Sequence, residues 1–253
     1  MTFTADQMVR DIAARHPAAV RVFESLGIDY CCGGLRPLSE ACRASAVPVE
    51  RALALLNQMK LDETNPIFPA EEEPDWSRAR LADLAAYIVS RHHEFIRGEA
   101  PRLQNLAGKV ALRHAAHHPE LETIRIVFTD LARELSAHMT KEENVLFPYI
   151  GQMESAVLAG EPVPPPFFGT VRNPIACMVA EHDDAGELLT RIRNLSANFR
   201  APADACASFT AFYHGLEEFE RDLHRHIHLE NNILFPRATN LEAKTTERGA
   251  VRD

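Results

Sequence analysis

No stretch of the chain approaches the roughly 20 uninterrupted apolar residues that a membrane-spanning helix needs, so no membrane partner is expected. The first residues, MTFTADQMVRD, lack the basic head and apolar run of an export signal, and a cytoplasmic protein is expected. There is no block of Lys and Arg able to neutralise phosphates. The 36 acidic against 27 basic residues give a formal charge of -9, which argues against nucleic acid as a partner. Five cysteines, an odd number, do not make a disulfide framework and read as thiols kept reduced. Alternating β-branched segments are nearly absent, and no flavin or nicotinamide fingerprint occurs.

What is present is helical. With 253 residues, 46% of them hydrophobic, the chain can bury a real core. Residues 1–60 hold short apolar runs of helical period, AAVRVFESLGI and VERALALLNQM, joined by DYCCGGLRPLSE, and are expected to form a small helical domain. LDETNPIFPAEEEPDW, residues 61–76, combines prolines with an acid run and reads as a linker. Four long stretches rich in Ala, Leu, Glu and Arg follow, at about 77–111, 119–152, 172–198 and 203–238. The segment MESAVLAGEPVPPPFFGT separates the second from the third and is expected to be non-helical. The fold class is therefore all-α, with an up-and-down four-helix bundle over 77–240 and a polar tail at 241–253.

One stretch occurs twice. HIHLENNILFPRA, from His226, repeats HMTKEENVLFPYI, from His138, with His, Glu, Asn, Leu, Phe and Pro at matching offsets. Residues four apart on a helix lie about 40° apart around its axis, so His138 with Glu142 and His226 with Glu230 each put two ligand atoms on one face. The other two helices each offer a histidine beside an acid, His93 in RHHEF and His182 in AEHDDAG. His93 lies 45 residues before His138, and His182 lies 44 before His226, so the bundle reads as two helical hairpins, each giving one His and then His-x3-Glu. This spacing selects His93 over its neighbour His92.

The expected metal ligands are thus His93, His138, Glu142, His182, His226 and Glu230. Four imidazoles and two carboxylates suit a pair of first-row ions, each with two histidines and with the glutamates bridging. Iron is the expected metal, because mixed N and O ligation with unfilled positions permits redox and small-gas chemistry; zinc would accept many of the same ligands. Two divalent ions against two carboxylates leave positive charge that an oxo or hydroxo bridge would offset. A single His-x3-Glu is ordinarily a surface pair worth a few tenths of a kcal/mol. Two copies, each followed by LFP and preceded by a matched histidine, argue against that reading.

The duplication extends one turn upstream, where Glu134 and Asp222 are candidates for orienting a ligand histidine or moving protons, with solvated charge as the alternative. Glu143, matched by Asn231, reads as a surface charge, and His224 and His228 read as solvated. His114, His117, His118 and His214 have no counterpart in the repeat. Pro148 and Pro236 are expected to end or kink their helices. In DYCCGG, two glycines permit a tight turn that would expose Cys31 and Cys32 as candidate redox or transfer thiols, against a reading as two quiet thiols. Cys42, Cys177 and Cys206 read as small apolar residues.

GIDYCCGG, EHDDAGELL and HIHLENNILFPRA, in that order, resemble the repair of iron centres proteins, in which a small N-terminal domain accompanies a hemerythrin-like di-iron bundle. The resemblance spans nearly the whole chain. It implies the same six ligands, two irons, and a role in restoring iron–sulfur clusters damaged by nitric oxide or peroxide, by donating iron or by binding and reducing nitric oxide. It further implies damaged iron–sulfur proteins as clients, nitric oxide or dioxygen as small ligands, and an external reductant. Oxygen-carrying hemerythrins have a second histidine where this chain has Gly186, which favours reaction or metal release over oxygen storage. The alternatives are a gas or redox sensor, an oxygen-binding module and a plain iron store; a homodimer is a further expectation.

Overall fold

The structure, a computed structural model, describes residues 3–31, 33–61 and 76–250. Cys32, all but the ends of the expected linker, and the last three residues of the expected tail lie outside the described residues. The chain divides into two compact units: Met1–Arg80 with His224–Arg237, and Leu81–Leu223 with Ala238–Asp253. Among the described residues, no helix is long and apolar enough to cross a membrane.

In the first unit, α1 (Val9–Arg15) and α2 (Pro17–Leu26) meet at His16, because Pro17 cannot donate back into α1 but suits the first position of a new helix. Gly27 ends α2 at φ +64, with its N–H on the Glu24 carbonyl and the next N–H, of Ile28, on the Phe23 carbonyl. The loop that follows needs both of its glycines. A Cβ at Gly34 would come within 2.8 Å of the Tyr30 carbonyl oxygen, and one at Gly33 within 2.9 Å of Asp29 Oδ2. α3 (Leu38–Ala44) and α4 (Val49–Leu61) close the core over Phe3, Val9, Phe23, Leu38 and Leu56.

Tyr30 is buried in that unit, and its hydroxyl donates to Glu24 Oε1 at 3.0 Å. Arg225 holds the same carboxylate at 2.9 and 3.1 Å, while the Asn232 amide donates to the Tyr30 carbonyl at 3.0 Å. His228, expected to be solvated, is buried with its ring edge-on to Tyr30 at 5.5 Å, and burial pushes it down to about 4. Its Nδ1 meets the Asn232 amide at 2.8 Å. His224 is half-buried against the same tyrosine.

The second unit is an all-α bundle. Its first rod joins α5 (Leu81–Ile88), a π turn π1 (Val89–His93) and α6 (Glu94–His114). The second joins α7 (Glu120–Lys141), π2 (Glu142–Leu146) and α8 (Phe147–Ala159), and the third is α9 (Arg172–Leu195). The fourth begins as α10 (Ala207–Leu229), whose residues up to Leu223 belong to this unit; the chain runs on through π3 (Glu230–Leu234), which belongs to the first unit, into α11 (Phe235–Ala250), which returns to this one from Ala238. α7 packs between α6 and α9, and α5 lies on α8.

Helix ends in this unit are satisfied from afar. Glu154, on α8, accepts the Leu81 and Ala82 N–H groups at 2.7 and 3.1 Å, and Glu242, on α11, accepts that of Val171 at 2.8 Å. The expected break at Met153 falls later, because α8 runs to Ala159 and stops at Gly160, φ +73. Pro148 and Pro236 neither end nor break their rods; each follows a π turn as the second residue of the next helix, where a missing N–H costs little.

Phe128, fully buried on α7, meets the edge of Phe219 with centroids 5.2 Å apart. Phe128→Ala is expected to cost about 3–5 kcal/mol, measured by urea unfolding of the metal-free protein. A cost below about 1 kcal/mol would mean that this contact does not hold the bundle core.

Candidate metal centre

Each His-x3-Glu copy meets a π turn at its glutamate. The Phe147 N–H reaches five residues back to the Glu142 carbonyl, and the Phe235 N–H does the same to Glu230. A third wide bond, from the Glu94 N–H to the Val89 carbonyl, ends π1 at His93. π turns of this kind recur at functional sites because one extra residue per turn re-aims the side chains around it. Here π1 turns both His92 and His93 inward.

In the bundle unit, Glu142 is fully buried, and neither of its carboxylate oxygens makes a hydrogen bond. One oxygen lies 3.4 Å from His93 Nε2 and the other 3.3 Å from His138 Nε2. His182 Nε2 is 3.0 Å from His138 Nε2. The ligand atoms of His138, Glu142 and His182 all fall within 4.8 Å of one another, as do those of His93 and Glu142. An ionised carboxylate costs many kcal/mol to bury without a counter-charge. Imidazole nitrogens that converge on it with their lone pairs call for a shared cation. In the unit that holds His224–Arg237, His226 Nε2 and Glu230 Oε1 are 3.0 Å apart, both residues fully buried.

The outer nitrogens of two histidines are fixed by carboxylates. His93 Nδ1 donates to Glu143 Oε1 at 2.6 Å, and His138 Nδ1 donates to Glu181 Oε2 at 2.8 Å. Since an ionised carboxylate only accepts, each Nδ1 carries a proton, and in the neutral ring Nε2 then keeps its lone pair for the interior. Burial works to raise both glutamates, but Arg97 with His93 holds Glu143 below the usual carboxylate range, and Lys141 with His138 and Cys177 holds Glu181 there. Phe147 stacks on the His93 ring at 5.9 Å, and that histidine is fully buried.

Glu143 is therefore not the surface charge expected from its mismatch with Asn231. Arg97, one turn after His93, was a signal for it, because it needs a partner on that face. Glu181 had no signal in the repeat: it precedes His182 but serves His138, across the helix interface. Glu134 does not orient a histidine. Its side chain is 49% exposed, pairs with Arg133, and lines the mouth of a cleft with His138, Lys141, Glu181, His182 and Asp184. Asp222 does hold a histidine, but it is His92, at Nδ1 and 3.0 Å, with Arg91 3.5 Å from its other oxygen. Cys31 is buried instead of exposed, because Asp29 folds back beneath the loop, accepting from its N–H at 3.0 Å and its Sγ at 3.3 Å.

Neutral imidazoles, buried carboxylates and oriented ring nitrogens fit a first-row transition ion better than a hard cation, which prefers oxygen alone. Residues 84–238 match the family described as hemerythrin HHE cation binding domain, and residues 5–60 match a domain of unknown function, DUF542. Over 233 residues, 92% of this chain and 96% of the relative, the sequence is 38% identical to the iron-sulfur cluster repair protein YtfE of Citrobacter koseri. The protein of the same name from Pectobacterium carotovorum subsp. carotovorum is 36% identical over 236 residues, and that from Salmonella paratyphi B 37% over 233, with the same shares covered. The buried His and Glu groups, the HHE match and this near-complete coverage together establish that the chain belongs to the repair of iron centres family, the hemerythrin-like iron–sulfur cluster repair proteins.

Proposed function

We propose that this protein is a cytoplasmic di-iron protein that restores iron–sulfur clusters damaged by nitrosative or oxidative stress, by donating iron, by binding and reducing nitric oxide, or by both. The observation that carries the reading is Glu142: a buried carboxylate with one oxygen turned to His93 and the other to His138 has the form of a bridging ligand between two ion positions. Its counterpart in the repeat is Glu230, and His226 stands to it as His138 stands to Glu142. The proposed ligand set is therefore His93, His138, Glu142, His182, His226 and Glu230. Two irons so held would supply exchangeable redox equivalents and open positions for nitric oxide or dioxygen.

The chain's own groups do the rest. Glu143 and Glu181 hold His93 and His138 in the ring orientation that ligation needs, and Lys141 keeps Glu181 ionised. Phe147 stacks on the buried His93, while the cleft past Glu134 and Asp184 gives access to His138 and His182. Reduction of nitric oxide needs electrons, so an external reductant is part of the proposal, and damaged iron–sulfur proteins are its clients. Cys31 is too enclosed beside Asp29 to meet a client directly, which favours its reading as a quiet or internally acting thiol.

Protein purified without oxygen is expected to hold two magnetically coupled irons per chain by metal analysis and Mössbauer spectroscopy, and to reactivate a nitric oxide-treated iron–sulfur enzyme. Glu142→Ala and Glu230→Ala should each abolish the coupling and the reactivation. Metal-free Glu142→Gln should unfold at a higher temperature than metal-free wild type, because an uncompensated buried charge is gone. Zinc in place of iron, or coupling that survives Glu142→Ala, would refute the bridging role.

Glu143→Ala and Glu181→Ala should each weaken iron binding about 10–100-fold, read by competition with a chelator, whereas Glu134→Ala should change it less than about threefold. If Glu134→Ala proves the most damaging of the three, the assignment of orienting carboxylates is wrong.

A further inference from the structure

The end of the bundle unit remote from His93 carries a second cluster of reactive side chains. It lies about 30 Å along α6 from His93, at the helix's other end. His114 Nε2 is 3.2 Å from Cys206 Sγ. Beside them, His118 bridges Asp204, 3.1 Å from its Nε2, and Glu120, 3.2 Å from its Nδ1. The rings of His114 and His118 both rest 5.4 Å from that of Phe209. Neither Cys206 nor His114 takes part in the metal site, and sequence reasoning read the one as apolar and the other as unmatched.

Two features set this thiol apart from the other described cysteines. Cys206 immediately precedes the 23-residue helix α10, and its carbonyl accepts the Thr210 N–H, so its sulfur sits at the positive end of a long helix. It also has an imidazole against it at 3.2 Å, while the carboxylate two residues before it is engaged: Asp204 is held below its usual range by its hydrogen bond with His118, which is itself raised. The others face the opposite influence. Cys31 Sγ lies on Asp29, and Cys177 Sγ lies on Glu181 at 3.4 Å. Burial, then Glu181, pushes the Cys177 thiol up, and burial with Glu50 does the same to Cys42.

The geometry points to Cys206, with His114 as its base, as a site of two-electron oxidation by a peroxide, separate from the metal centre. Cys206 Sγ attacks one peroxide oxygen, the S–O bond forms and the O–O bond breaks. His114 Nε2 takes the thiol proton and returns it to the departing hydroxide, which leaves as water. Sulfur is oxidised from thiol to sulfenic acid while hydrogen peroxide supplies the oxygen and is reduced. Cys206 is half-buried.

The test uses the full, iron-loaded chain, treated with hydrogen peroxide and the sulfenic acid trap dimedone at neutral pH, with adducts mapped by mass spectrometry over time. Cys206 should label at least about tenfold faster than Cys177, although Cys177 is the more exposed, and His114→Phe or His114→Gln should bring Cys206 down to the Cys177 rate. The ranking in wild type needs no substitution, so it stands even if one variant folds poorly. Faster labelling at Cys177, or a Cys206 rate that both His114 variants leave unchanged, overturns the assignment.

Discussion

The constraint on which the bundle's chemistry depends is the burial of Glu142. A carboxylate with no accessible surface and no hydrogen bond to either oxygen is one of the least tolerable groups a protein interior can hold. Its surroundings make sense only as preparation for a cation: two imidazole nitrogens within 3.4 Å, and behind them two further carboxylates that turn those nitrogens inward. Glu143 and Glu181 keep a part-exposed position and cationic partners, Arg97 and Lys141, so they stay charged at little cost. The arrangement thus passes from charge-paired outer carboxylates, through the rings they orient, to an inner carboxylate without a hydrogen bond. Metal binding supplies what the fold leaves out.

The duplicated segment is duplicated in backbone as well as in side chains. In both copies the wide bond ends at the phenylalanine of LFP, and the next residue is the proline, which has no N–H to give. A proline there discourages the regular ladder from resuming one residue early, and the extra residue of the π turn gives its ring room. This explains why a motif that looks like a helix terminator sits in the middle of a continuous rod. The helix is deformed at the ligand and then continues, so the rods on either side can pack normally while the π turn sets ligand direction.

Much of the fold and the histidine positions were legible because both obey a local period. His138 and Glu142 share a face by arithmetic, and a second copy removes coincidence. The groups that escaped are those whose meaning comes from another helix. Glu154 and Glu242 cap helices more than 70 residues away in sequence, and Glu181 serves a histidine 43 residues distant. His228 was read from its angle to His226, which was sound, but the face it occupies is covered by Tyr30, and no periodicity in α10 could announce that. Cys31 was misjudged for the complementary reason: the glycines do make the tight turn, yet Asp29 uses that turn to cover the thiol.

An acidic chain has carboxylates to spare, and their effect depends wholly on what they face. Beside an imidazole Nδ1 a carboxylate raises the ligating power of the opposite nitrogen, as Glu143 and Glu181 do. Beside a thiol it opposes loss of the proton, as Glu181 does for Cys177. Glu181 plays both parts at once, strengthening His138 while restraining Cys177, so the ligand side of the bundle holds metal without a competing thiolate nearby. At the far end the pairing is reversed: His118 occupies the carboxylate of Asp204, and His114 is left to the sulfur. One electrostatic rule, applied with the partners exchanged, separates a site for metal ions from a site for thiol chemistry within a single bundle.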